Sequence, residues 1–146
     1  MTAEEGRRRR GPDGGAPAGF TPLEQAFDAG SLYPLRAAVA AHAAAAGLSR
    51  QRVYDVTAVA HELAANAVVH GGGHGRLRLW ADGWFLYCEV DDDGPGIPAD
   101  GGGGATPWPA EHGHGLWLVR QVTDEVSIDG GPGGTTVRAR FALTAG

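Results

Sequence analysis

Between residues 53 and 67, apolar side chains recur as Val53, Val56, Ala60, Leu63 and Ala67. Steps of three and four residues trace one face of an α-helix, and Gly71-Gly72-Gly73 stops the pattern. A helix with one apolar face must bury it against another element, so the chain has to build a layered domain. Ser49 is placed to cap the first turn, and the predicted helix runs from there to about Val69.

The remaining elements are read around that helix. Leu32, Leu35, Val39 and Ala43 mark a narrower stripe on an alanine-rich helix from Leu32 to Ala46, with Pro34 in its first turn and Gly47 past its end. Phe20 to Ala29 reads as an edge strand or an extended lead-in, with Pro22 confining it to an edge. Arg76 to Trp80 alternates polar and apolar side chains, Ala81-Asp82-Gly83 has turn chemistry, and Trp84 to Val90 is the expected partner strand. A short helix is expected over Gly115–Thr123, then strands over Glu125–Ile128 and Thr135–Leu143. No internal repeat is visible. Together they predict an α+β two-layer sandwich, a mostly antiparallel mixed sheet with helices on one face, over residues 20–146. Residues 1–19, with Arg7 to Arg10 followed by Gly and Pro, are expected to form a disordered tail.

Composition removes several function classes. The chain has 146 residues, the size of one domain. All twelve basic residues are arginine. Without lysine, a Walker-A phosphate loop, a Schiff base and a kinase built on a strand lysine are excluded. A net charge of −5 argues against direct nucleic-acid binding. The single Cys88 cannot form an internal disulfide, which suits a reducing cytoplasm. There is no apolar run of membrane-spanning length and no signal-peptide core at the start.

Four constellations carry possible chemistry. Glu62, Asn66 and His70 lie at i, i+4 and i+8 on the predicted helix, a polar stripe bordering its buried face. A carboxylate and an amide oxygen one turn apart can share a hard cation such as Mg²⁺ and its waters; a surface Glu beside an unrelated Asn has the same pattern. Asp92-Asp93-Gly94-Pro95-Gly96-Ile97 follows a strand directly. Glycines there let backbone approach a ligand, although Asp-Gly and Pro-Gly also make ordinary turns. Gly113-His114-Gly115-Leu116 opens a helix, where unpaired N–H groups attract phosphate; the same residues suit a flexible lead-in. Gly133-Gly134-Thr135-Thr136 enters the last strand, as a base-binding hydroxyl or as a plain strand start. The histidines His42, His61, His70, His74, His112 and His114 suggest no rigid zinc geometry, since glycines separate His70 from His74 beyond the helix end.

In this order the four motifs resemble the GHKL ATPases, the superfamily of gyrase, the heat-shock chaperone, histidine kinases and mismatch-repair ATPases with the Bergerat fold. Glu62-Leu63-Ala64-Ala65-Asn66-Ala67 resembles the N box, Asp92-Asp93-Gly94-Pro95-Gly96 the first glycine box, and Gly113-His114-Gly115-Leu116 the second. The resemblance spans about residues 20–143. Within the superfamily the chain is most similar to the small, free-standing anti-sigma factor serine/threonine kinases.

That resemblance implies ATP and Mg²⁺ as cofactors. It implies that Asn66 coordinates the metal, that Asp92 accepts the adenine amine, and that Gly94 and Gly96 let the chain pass close to the ring. Thr135 supports the same edge. Gly113, His114, Gly115 and Leu116 line the phosphates, residues 97–112 form a lid, and Glu62 is the catalytic base toward a partner hydroxyl. The implied partners are a sigma factor and an anti-anti-sigma protein of the STAS type, with a homodimer possible. One departure stands out: the segment between Ile97 and His114 has neither lysine nor arginine, leaving Arg120 on the following helix as a source of positive charge. The implied activity is therefore protein kinase turnover or, alternatively, nucleotide-gated partner binding without it.

Overall fold

The computed structural model describes residues 20–94, 114–131 and 133–143. Among the described residues five strands form one sheet: β1 (Leu23–Asp28), β2 (His74–Ala81), β3 (Phe85–Asp92), β4 (Glu125–Gly131) and β5 (Gly134–Ala142). The described helices are α1 (Leu32–Ala45), α2 (Arg50–His70) and α3 (His114–Val122), with a 3-10 turn over Ala29–Ser31. The strand order is β1-β2-β3-β5-β4, and every described pairing is antiparallel. The expected α+β sandwich is the fold observed, its described sheet wholly antiparallel. The expected tail, residues 1–19, lies outside the described residues.

The helix-facing side of the sheet is apolar at every second position. Leu77 and Leu79 of β2, Leu86, Cys88 and Val90 of β3, and Val137, Ala139 and Phe141 of β5 are all buried. Above them α2 buries Val56, Val59, Ala60, Leu63, Ala64 and Ala67, and α1 buries Leu35, Val39 and Ala43. Alanine at three of the six α2 positions brings that helix close to the strands. The Ser49 hydroxyl accepts the Arg52 N–H at 3.1 Å, satisfying one free amide of the first turn. In α1, Leu32 is half-buried and the other three residues of the predicted stripe are in the core.

The reading of residues 20–29 resolves into a strand at the sheet edge, beginning just after Pro22. The β2–β3 turn is organised by Asp82, whose Oδ1 accepts the N–H groups of Trp84 and Phe85, both at 2.7 Å. Trp84 thereby belongs to the turn, and β3 starts one residue later than its alternation suggested.

Candidate functional site

β3 brings an acidic cluster to one end of the sheet. Its buried residues Leu86, Cys88 and Val90 face the helices, so the pleat directs Asp92 to the same side and Asp91 and Asp93 to the other. Asp92 is paired with Thr135 across the β3–β5 ladder. Thr135 continues the series Val137, Ala139 and Phe141 and is only 6% exposed.

The C-terminal end of α2 meets this strand end. The Asp92 Oδ1 accepts the Gly94 N–H at 3.0 Å, while the other side of the carboxylate packs against Gly71, which caps α2. Burial pushes the Asp92 carboxyl above its ordinary value, the amides of Gly94 and Thr135 pull it back, and the charges of Asp93 and Asp91 raise it again. Gly134 takes a φ of 135°, in the region that side chains avoid, and a methyl group there would lie 2.9 Å from the Asp93 Cα. A β-branched residue at that position would force β5 away from β3.

On α2, Asn66 is 4% exposed, and its Nδ2 donates to the carbonyl of Glu62 at 2.9 Å. That bond orients the amide: its nitrogen faces the helix backbone, and its oxygen makes no hydrogen bond among the described residues. Glu62 and His70 are half-buried on the same stripe. The structure therefore gathers Asp92, Gly94, Thr135 and the end of α2 at one location, with Asn66 one turn before that end.

The other predicted site residues are less completely placed. Gly96 and Gly113 lie outside the described residues, as does the expected lid. His114, Gly115 and Leu116 begin α3, and Arg120 is exposed in its last turn. Thr136 faces the opposite side of the sheet from Thr135. There, a cavity of about 690 Å³ is lined by His74, Arg76, Asp91, Asp93, Asp129 and Thr136 as well as by Asp92, Thr135 and the glycines at the β4–β5 junction. Neither Glu62 nor Asn66 borders it. Among the described residues no group of three His, Cys, Asp or Glu side chains is arranged to hold a metal ion. No described helix is long and apolar enough to cross a membrane.

Gly71 is a residue of this site that its local sequence does not single out. It was legible only as part of the glycine run ending a helix, and nothing local signalled that its Cα would touch a side chain 21 positions later.

The donor chemistry suits Mg²⁺ held mainly by phosphate. Asn66 offers one neutral oxygen, a hard and incomplete donor set that phosphate oxygens and water would complete, with the Glu62 carboxylate one turn away in the sequence.

In fold the chain is similar to the crystal structure of the RsbU and RsbW domains of Rv1364c from Mycobacterium tuberculosis, with a TM-score of 0.63 at 22% identity. The match covers 83% of this chain and 32% of that one. A histidine kinase domain from the Erythrobacter litoralis EL346 blue-light activated histidine kinase is 25% identical, with a TM-score of 0.46, over 61% of this chain and 46% of that one. The chain thus spans less than half the length of either structure. No curated protein matches it. The family of the histidine kinase-like ATPase domain matches residues 26–141, from the edge strand to the end of β5. On the evidence of this match and the sandwich that carries it, the chain belongs to the histidine kinase-like ATPase domain family, the GHKL ATPases.

Proposed function

We propose that this chain binds ATP between α2 and the ends of β3 and β5, and acts as an anti-sigma-factor-like serine/threonine kinase. Family membership supports an ATP site. The observation that carries its location is the convergence of Asp92, Gly94 and Thr135 on the end of α2, one turn beyond the oriented amide of Asn66. In this reading Asp92 accepts the exocyclic amine of adenine, Gly94 and Gly96 admit the ring, and Thr135 supports the same edge. The Asn66 oxygen is a ligand for Mg²⁺, which when bound neutralises phosphate charge. Gly113, His114, Gly115 and Leu116 give the phosphates a helix N-terminus.

Glu62 is the proposed base. A serine or threonine hydroxyl of the partner attacks the γ-phosphorus, the bond from that phosphorus to the ADP oxygen breaks, and the hydroxyl proton passes to the Glu62 carboxylate. The likeness to a structure whose title names an RsbW domain supports the choice of partners, a sigma factor and an anti-anti-sigma protein of the STAS type. Residues 20–146 form the ATPase domain on this reading, and residues 1–19 precede it as a tail.

A second reading, nucleotide-gated binding without turnover, is favoured by the absence of lysine and arginine between Ile97 and His114. Transfer of labelled γ-phosphate to candidate partner domains, measured for the wild type, Glu62→Gln and Asn66→Ala, decides between them. The kinase reading expects Glu62→Gln to keep ATP affinity within about threefold and to lose about 10²-fold or more in transfer. It expects Asn66→Ala to lose Mg²⁺-dependent affinity. Partner binding that responds to ATP in both wild type and Glu62→Gln, with no phosphoprotein formed by either, selects the second reading.

A further inference from the structure

We infer that Gly71 is a positioning residue for adenine recognition, its bare Cα forming one wall of a slot that holds the Asp92 carboxylate in its binding pose; this rests on the nucleotide reading proposed above. The backbone of Gly71 is unremarkable, with φ −110° and ψ 24°, a conformation open to any L-residue. The requirement is for space. A methyl group on its Cα would overlap the Asp92 Cγ and Oδ2 and lie 2.7 Å from the Ala67 carbonyl oxygen. Gly71 cannot simply retreat, because its N–H donates to that same carbonyl at 2.7 Å, tying it to the last turn of α2.

The slot is closed on its other side by Gly94. Its N–H holds the Asp92 Oδ1 at 3.0 Å, and a methyl group on its own Cα would lie 2.6 Å from the Gly71 carbonyl oxygen. One carboxylate oxygen is therefore held by an amide while the other rests against Gly71. Alanine at position 71 presses on the Ala67 carbonyl and overlaps Asp92 more severely; a side chain rotates more readily than a helix end moves, so Asp92 is the group that yields most. The acceptor then leaves the place where an amine on the purine would find it.

Calorimetry on the full chain with Mg²⁺ tests this, using ATP and purine riboside triphosphate, which differs by lacking the 6-amino group. The wild type should prefer ATP by about 10- to 100-fold, the range of a hydrogen bond to a charged acceptor. Gly71→Ala should bring that ratio to within about twofold of unity while leaving affinity for purine riboside triphosphate unchanged. A variant that keeps the wild-type ratio, or weakens both nucleotides in parallel, overturns the inference. A wild type with no preference overturns the nucleotide reading itself, whatever Gly71 does. If Gly71→Ala does not fold, the double variant with Asp92→Ala removes the carboxylate atoms that the new methyl meets and leaves only the contact with the Ala67 carbonyl. A double variant that melts above Gly71→Ala supports the slot; one no more stable than Gly71→Ala overturns it.

Discussion

Arg52, in the first turn of α2, donates from Nη1 to the carbonyl oxygen of Val122, the last residue of α3, at 3.2 Å. The same guanidinium reaches the carbonyl of Ala142 at the end of β5 at 3.4 Å, and lies over the Phe141 ring at 5.4 Å. A cation at the carbonyl end of a helix answers both free acceptors and the helix dipole. One side chain thus ties together the start of α2, the end of α3 and the last strand.

Arg52→Met should lower unfolding free energy by about 1–2 kcal/mol, the worth of charge-assisted hydrogen bonds that are partly exposed. Urea denaturation measures the total, and amide exchange locates it. Faster exchange in α3 is expected; protection in α3 equal to that of the wild type would contradict the anchoring role.

Asp92 makes stability depend on pH in a stated direction. Burial raises its carboxyl above the ordinary value in the folded state, so the folded chain holds that proton more tightly than the unfolded one. Its favourable contribution is fully present below the unfolded value of about 3.9 and is lost as pH rises through the folded value. Asp92→Asn cannot ionise and can still accept the Gly94 N–H. It should therefore melt above the wild type at neutral pH, with the gap closing as pH approaches about 4. Melting curves for both proteins from pH 3 to 8 check this, and a gap that does not change with pH rejects it.

Cys88 is buried in β3, and its thiol is pushed up to about 12, first by burial and then by the charge of Glu89. The reactive thiolate is therefore scarce at pH 8. An aromatic disulfide reagent should label the native chain only at the rate of unfolding and label it at once in guanidinium. Rapid labelling of the native chain would show that the core opens locally at β3.

Glu89 sits on the sheet face away from the helices yet is 2% exposed. Arg78 binds one carboxylate oxygen, and Arg138 binds the other from Nε at 3.0 Å and Nη2 at 2.9 Å. Both guanidinium groups lie over Trp80, which stacks on Tyr87 at 5.1 Å. Replacing both arginines by methionine leaves a buried charge unpaired and should cost about 3–5 kcal/mol. Glu89→Met leaves two half-exposed arginines able to find water and should cost no more than about 1 kcal/mol. Equal losses in the two unfolding curves would refute this asymmetry.

The candidate site was legible in unequal parts. Asn66 and Asp92 stand out because short motifs carry them, and helix spacing alone places Glu62 one turn from Asn66. The family resemblance names Thr135, while the strand pattern alone does not separate it from Thr136; the pairing with Asp92 and the alternation of β5 set Thr135 on the helix side and Thr136 on the other. Gly71 stood in the sequence as a helix stop, and Glu89 as one polar position on a strand.

What the sequence determined by itself was local: where apolar side chains recur every three to four residues or every second one, and where Gly, Pro and Asp interrupt them. Such periodicities depend on backbone geometry, so helices, strands and motif order follow from neighbours in the chain. Tertiary packing between the layers and pairing within the sheet set Asp92 against Gly71, bring Arg52 to Val122, and close Arg78 and Arg138 over Glu89. Those relationships join residues from 11 to 70 positions apart, and they exist because close packing and strand register leave each side chain one place to go.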